Sequence, residues 1–113
     1  MKVLTEQRGD ITVLRLRGTL MGGPDSKVFD QALSEVLNRG DTRVLVDMAD
    51  ISWVNSTGLG ILIAGHRTVS SKGGSLKLLH VSKRIESLLM VTKLNTLFES
   101  YDDEAQAVSS FSP

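Results

Sequence analysis

The sequence predicts an α/β fold: a single domain in which amphipathic helices pack on a mixed sheet of about five strands. Segments of β-branched and aliphatic residues alternate along most of the chain with segments whose apolar residues recur at helical spacing, and helices this amphipathic must lay one face on a sheet. The chain has 113 residues, 41% of them hydrophobic, which suits one compact domain with a buried core.

The elements follow in order. Ile11–Leu16 reads as a strand with one wet face, and Gly9-Asp10 before it resembles a hairpin turn, so Lys2–Gln7 is its antiparallel partner. The glycines of Gly18–Pro24 break the strand, Pro24 suits the first turn of a helix and Asp25 favours its positive end. Val28, Phe29, Ala32, Leu33, Val36 and Leu37 keep helical spacing up to Gly40. Arg43–Met48 is nearly continuously apolar, as in a central strand covered on both faces and parallel to an earlier strand.

Ile51–Gly60 reads as a loop entering a second helix, with Asn55 or Ser56 as N-cap and Gly73-Gly74 at the close. Ser75–Val81 is a further strand, Lys83–Thr92 a third helix and Leu97–Tyr101 a last strand. Glu104–Val108 adds a turn of helix. The ordered core is expected over about residues 2–108, with 109–113 as a frayed tail.

Composition narrows the function. Thirteen basic residues balance thirteen acidic ones, which removes the broad attraction behind most nucleic-acid and anionic-membrane binding. With no cysteine there is no disulfide framework, thiolate zinc site or cysteine nucleophile. The amino terminus alternates in character and no apolar stretch approaches the roughly 20 residues that cross a bilayer, so a soluble cytoplasmic protein without membrane insertion is expected.

Several chemical motifs fail on inspection. Gly58-Leu59-Gly60 lacks the third glycine and distal acid of a dinucleotide fingerprint, and Ser71-Lys72-Gly73-Gly74 has the letters of a phosphate-gripping loop in the wrong order. No cofactor and no metal are therefore expected. His66 lies ten residues along the second helix from Ser56, about 15 Å at the helical rise, too far to activate it. His80, at a strand end, reads as surface or satisfied core. Asp47 stands where α/β ligands often bind, or serves a strand-end turn. Trp53 reads as either core or interface anchor, and Met21, in a loop, is the better contact candidate.

The informative segment is Val54–Gly60, with two hydroxyls at a helix start beside two glycines that leave a bare surface. A phosphate on Ser56 adds roughly −1.5 to −2 charges, which a helix N-terminus carrying about +0.5 tolerates, so the domain need not unfold. Its effect falls instead on an interface, where about 3 kcal/mol of repulsion lowers affinity more than a hundredfold. On pattern alone, Asn55, Ser56 and Thr57 serve equally as capping residues.

Val46-Asp47-Met48 followed by Ile51-Ser52-Trp53-Val54-Asn55-Ser56-Thr57-Gly58-Leu59-Gly60-Ile61-Leu62 resembles the signature of STAS domains, the anti-sigma-factor antagonist family, whose usual wording there is Asp-Ser-Ser/Thr-Gly-Leu-Gly. The likeness extends from the opening strands through Gly18-Thr19-Leu20 to Gly73-Gly74-Ser75-Leu76-Lys77-Leu78. It implies that Ser56, the first hydroxyl residue of the signature, accepts phosphate from a partner that is both serine kinase and anti-sigma factor, and that a serine phosphatase removes it. ATP and Mg²⁺ then belong to the kinase, and the chain itself is not an enzyme.

Asn55 replaces the family's aspartate and removes a negative charge beside Ser56, while Thr57, at the position more often used for structure, is the backup acceptor. The resemblance also nominates Met21, Gly22, Gly23, Asp25, Asn55, Ser56, Thr57, Gly58 and Leu59 as partner contacts. The implied function is that of an antagonist that captures the kinase and frees a sigma factor until Ser56 is phosphorylated. The alternative, favoured by Asn55, is an unphosphorylated interaction module in a signalling assembly or a transporter-associated complex. A hydrolase using Ser56 lacks a base.

Overall fold

The computed structural model describes residues 1–112. In chain order it contains β1 (Lys2–Arg8), β2 (Ile11–Leu20), α1 (Pro24–Asn38), β3 (Arg43–Val54), α2 (Ser56–Ser71), β4 (Ser75–Leu79), α3 (Lys83–Val91), a 3₁₀ turn (Leu94–Thr96), β5 (Ser100–Tyr101) and α4 (Glu104–Ser109). The five strands lie side by side in sequence order. β1 and β2 form the antiparallel hairpin around Gly9-Asp10, and every later neighbour is parallel, so the sheet is mixed as the sequence predicts.

Because successive strand residues point to opposite faces, the central strands are apolar on both. On one face Leu14, Val46 and Leu78 pack with Phe29 and Leu33 of α1, Leu62 of α2 and Leu89 of α3. On the other, Ile11, Val13, Leu45 and Leu79 lie under Ala107 and Phe111.

Three expectations need correction. Ile51–Val54 is strand and not loop, since β3 runs to Val54 and β2 to Leu20. The register between them shifts at Arg15/Arg17 and again at Gly18/Thr19, after which Thr19 faces Trp53 and Leu20 faces Val54. Such irregularities let an unalternating sequence stay in the ladder, and they depend on the partner strand. The last strand spans Ser100–Tyr101 alone, because Leu94–Thr96 turns in a 3₁₀ helix and Phe98 is drawn into the core.

The expected fraying of residues 109–113 does not hold for Ser109–Ser112, while Pro113 lies outside the described residues. Lys77 donates from Nζ to the Ser110 carbonyl at 2.9 Å and to its hydroxyl at 3.0 Å, with the ammonium 4.6 Å from the centroid of the buried Phe111 ring. Without these residues the second face of the sheet would be left wet. Among the described residues, no helix is long and apolar enough to cross a membrane.

An ion-pair network binds α4 to the same face. Arg15 contacts Asp47, Glu104 and Glu6, each at 2.8 Å, and Arg8 also pairs with Glu104. The Arg15 hydrogen bond, opposed by burial and aided by Arg8, draws the Glu104 carboxyl down to about 2 from its ordinary 4.5. A carboxyl lowered on folding stabilises the native state above its unfolded pKa and loses that contribution as pH falls through its folded one. The window here is about pH 4.5 to 2.

Two outcomes are expected. Stability from urea unfolding falls across that window, and Glu104→Gln flattens part of the slope. Phe111→Ala lowers the unfolding free energy by about 3 kcal/mol, whereas a frayed tail would register no change.

Candidate functional site

β3 delivers the chain directly into α2. Asn55, in extended conformation, is the N-cap: its side-chain oxygen accepts from the Gly58 amide at 2.8 Å. The other half of the same amide donates to the Met21 carbonyl at 3.2 Å. Asn55 thus joins the start of α2 to the loop between β2 and α1, using a donor that an aspartate lacks.

Two close contacts reinforce this junction. A side-chain carbon at Gly58 would fall 1.7 Å from the Leu20 carbonyl oxygen, so only glycine fits there. At Gly22, where φ is +100°, an added carbon would stand 2.6 Å from the Thr57 methyl. The Asp25 carboxylate accepts from the Met21 amide at 3.0 Å and contacts the Met1 amino group at 3.2 Å. The Met21 bond, against burial and with the amino group's help, holds its carboxyl below the usual carboxylate range.

The nominated residues therefore divide. Met21, Gly23, Ser56 and Thr57 are exposed around the start of α2, with Asn55 and Gly22 partly so. Asp25, Gly58 and Leu59 are buried, which corrects their nomination as partner contacts. Asp25 is consumed in holding its loop, Gly58 lies against the Leu20 carbonyl and Leu59 belongs to the core.

Ser56 is relieved of the capping role that pattern alone left open to it, because Asn55 performs it. Its hydroxyl makes no hydrogen bond among the described residues, and no acidic residue occupies the first turn of α2. The residue stands at the positive end of a 16-residue helix, where an added anion is tolerated. Thr57 turns its methyl toward Gly22 and so helps seat the loop.

Neither histidine serves Ser56. α2 is continuous, which keeps His66 about 15 Å along it, and the His66 ring packs edge-on against Phe98 with centroids 5.4 Å apart. His80 Nδ1 is 3.0 Å from an Asp47 carboxylate oxygen. Burial opposes the charge on Asp47, but the Ala49 amide, His80 and Arg15 outweigh it and hold the carboxyl below its ordinary value. Asp47 is therefore a member of the network beneath α4.

Trp53, which the sequence left between core and surface, is 40% exposed. The Arg84 guanidinium carbon lies 3.5 Å from its ring centroid. Arg84 also lines a cavity of about 300 Å³ between the start of α2 and α3, together with Val54, Asn55, Ser56, Leu88 and Val91. Sequence reasoning missed this wall of the site, since Arg84 is 28 residues from Ser56 and belongs to no shared motif.

The family model described as "Mlab, STAS domain" matches residues 3–99. The chain belongs to the STAS domain family. Among relatives of this STAS domain, the TM1081 homologue of Thermotoga neapolitana, provisionally named an anti-sigma factor antagonist, is 32% identical over 81 residues, covering 72% of this chain and 68% of that protein. The crystal structure of TM1081 from Thermotoga maritima superposes with a TM-score of 0.87 at 22% identity, over 96% of this chain and 93% of that one. The Bacillus protein SpoIIAA, an anti-sigma factor antagonist, gives 0.73 at 19% identity in its unphosphorylated form, over 96% of each chain, and 0.72 in its phosphorylated form.

Asn55→Ala is expected to cost about 1 kcal/mol in denaturant unfolding through loss of the cap. Asn55→Asp keeps the cap oxygen but not the donor to Met21. Faster amide hydrogen exchange confined to the loop between β2 and α1 is the expected signature of that change, and unchanged exchange would refute the link.

Proposed function

We propose that this STAS domain is an anti-sigma-factor antagonist, a binding module that captures an anti-sigma factor with serine kinase activity, frees a sigma factor, and is switched off by phosphorylation of Ser56. The observation that carries this reading is the Ser56 hydroxyl itself, exposed at the first residue of α2 and free of capping duty. The names of its relatives and the two forms of SpoIIAA support it.

In the phosphorylation step, Ser56 Oγ attacks the γ-phosphorus of the partner's Mg²⁺-bound ATP. The bond from that phosphorus to the bridging oxygen of ADP breaks, and the hydroxyl proton passes to a base of the kinase. Because no described residue of the chain stands as a base at Ser56, the chain's part is to present the hydroxyl. The rigid junction of Asn55, Thr57 and the Met21–Gly23 loop holds the surface the kinase meets. A phosphatase reverses the modification by hydrolysis.

A second reading keeps the binding role without phosphate: an interaction module in a signalling or transporter-associated assembly. Asn55 favours it, because its amide completes the junction without a carboxylate beside the serine.

Incubation with the cognate kinase and Mg²⁺-ATP, followed by peptide mass spectrometry, is expected to find phosphate on Ser56. Ser56→Ala should bind the kinase but resist modification, with Thr57 unmodified, and Ser56→Asp should bind more than a hundredfold more weakly, equivalent to about 3 kcal/mol. Equal binding by wild type, Ser56→Ala and Ser56→Asp, with no phosphate taken up, would instead establish the unphosphorylated module.

A further inference from the structure

Among the described residues, Arg84 is the one charged residue on the wall of the cavity beside Ser56. Among the described residues it forms no ion pair, and its guanidinium carbon lies 3.5 Å from the centroid of the partly exposed Trp53 ring. A guanidinium on an exposed aromatic ring is held weakly, while the same group binds a phosphate dianion through two parallel charge-assisted hydrogen bonds. A phosphate on Ser56 would therefore introduce, at the mouth of this cavity, an anion better suited to Arg84 than its present partner.

We propose that Arg84 is the intramolecular receptor for phosphorylated Ser56. On modification the guanidinium leaves Trp53 and engages the phosphate, which closes the cavity between α2 and α3 and uncovers the indole. The modified surface then differs in three ways, in charge at Ser56, in access to the cavity and in exposure of Trp53. Release of a partner follows from altered shape as well as from repulsion. The inference rests on the reading of Ser56 as the phosphorylated residue, yet its chemistry is testable without any kinase.

Trp53 is the sole tryptophan, so emission excited on the red edge of tryptophan absorption, where Tyr101 does not absorb, reports on it alone. The full chain is made with phosphoserine installed at position 56 during translation, alongside the unphosphorylated protein, and both are compared with their Arg84→Gln and Arg84→Lys counterparts. Arg84 is exposed and outside the core, so these variants are expected to fold, which circular dichroism verifies.

In the wild-type background, phosphoserine should shift the Trp53 emission. In Arg84→Gln the emission should match that of phosphorylated wild type whether or not phosphate is present, and Arg84→Lys should restore part of the response. Phosphorus NMR should place the second ionisation of phosphoserine about one unit lower with Arg84 than with Arg84→Gln. Emission unmoved by phosphate in wild type, with the same phosphate titration in Arg84→Gln, would overturn the proposal. That result would leave kinase action on Ser56 untouched, just as a kinase that ignores Ser56 would leave the measured contact standing.

Discussion

The candidate site depends on one close approach, that of the first turn of α2 to the carbonyl of Leu20. Gly58 lies so near this oxygen that any side chain would collide with it. The approach fixes where α2 begins relative to the end of β2, and the two loops can therefore share contacts. Asn55 spans them with its amide, Thr57 packs on Gly22, and Asp25 secures the Met21 amide from below. Ser56 is left exposed on a frame in which the Asn55 amide and the Asp25 carboxylate are already engaged. That division of labour separates holding the surface from carrying the modification.

The register shifts between β2 and β3 make the approach possible. They keep both strands paired as far as Leu20 and Val54, so the residues on either side of the site leave the sheet together. At the opposite face, Arg15, Asp47 and Glu104 bind α4 to the sheet, and Lys77 with Phe111 closes it. These charges lie apart from the start of α2. Asp47 and His80, which resemble a reactive pair in isolation, belong to this supporting structure.

The regular parts of the fold were legible because their signals are local. Apolar residues at helical spacing from Val28 to Leu37 and the dense run Arg43–Met48 announce a helix and a central strand whatever surrounds them. Ile51–Val54 carried no such signal, because its place in the sheet depends on Leu20 and its neighbours, more than 30 residues earlier. The same holds for the tail. Nothing in Ser109–Ser112 reads as ordered until Lys77 and the bare face of the sheet are in view.

The site divides along the same line. The sequence by itself determined the family signature, the hydroxyl at Ser56 and the absence of a helical route to a histidine base, since each depends on residue identity and short-range spacing. Only the tertiary structure decided that Asn55 is the cap, that Asp25, Gly58 and Leu59 are buried, and that Trp53 and Arg84 stand beside Ser56. Burial and proximity arise when segments distant in the chain pack together, and a single sequence records the residues but not the packing.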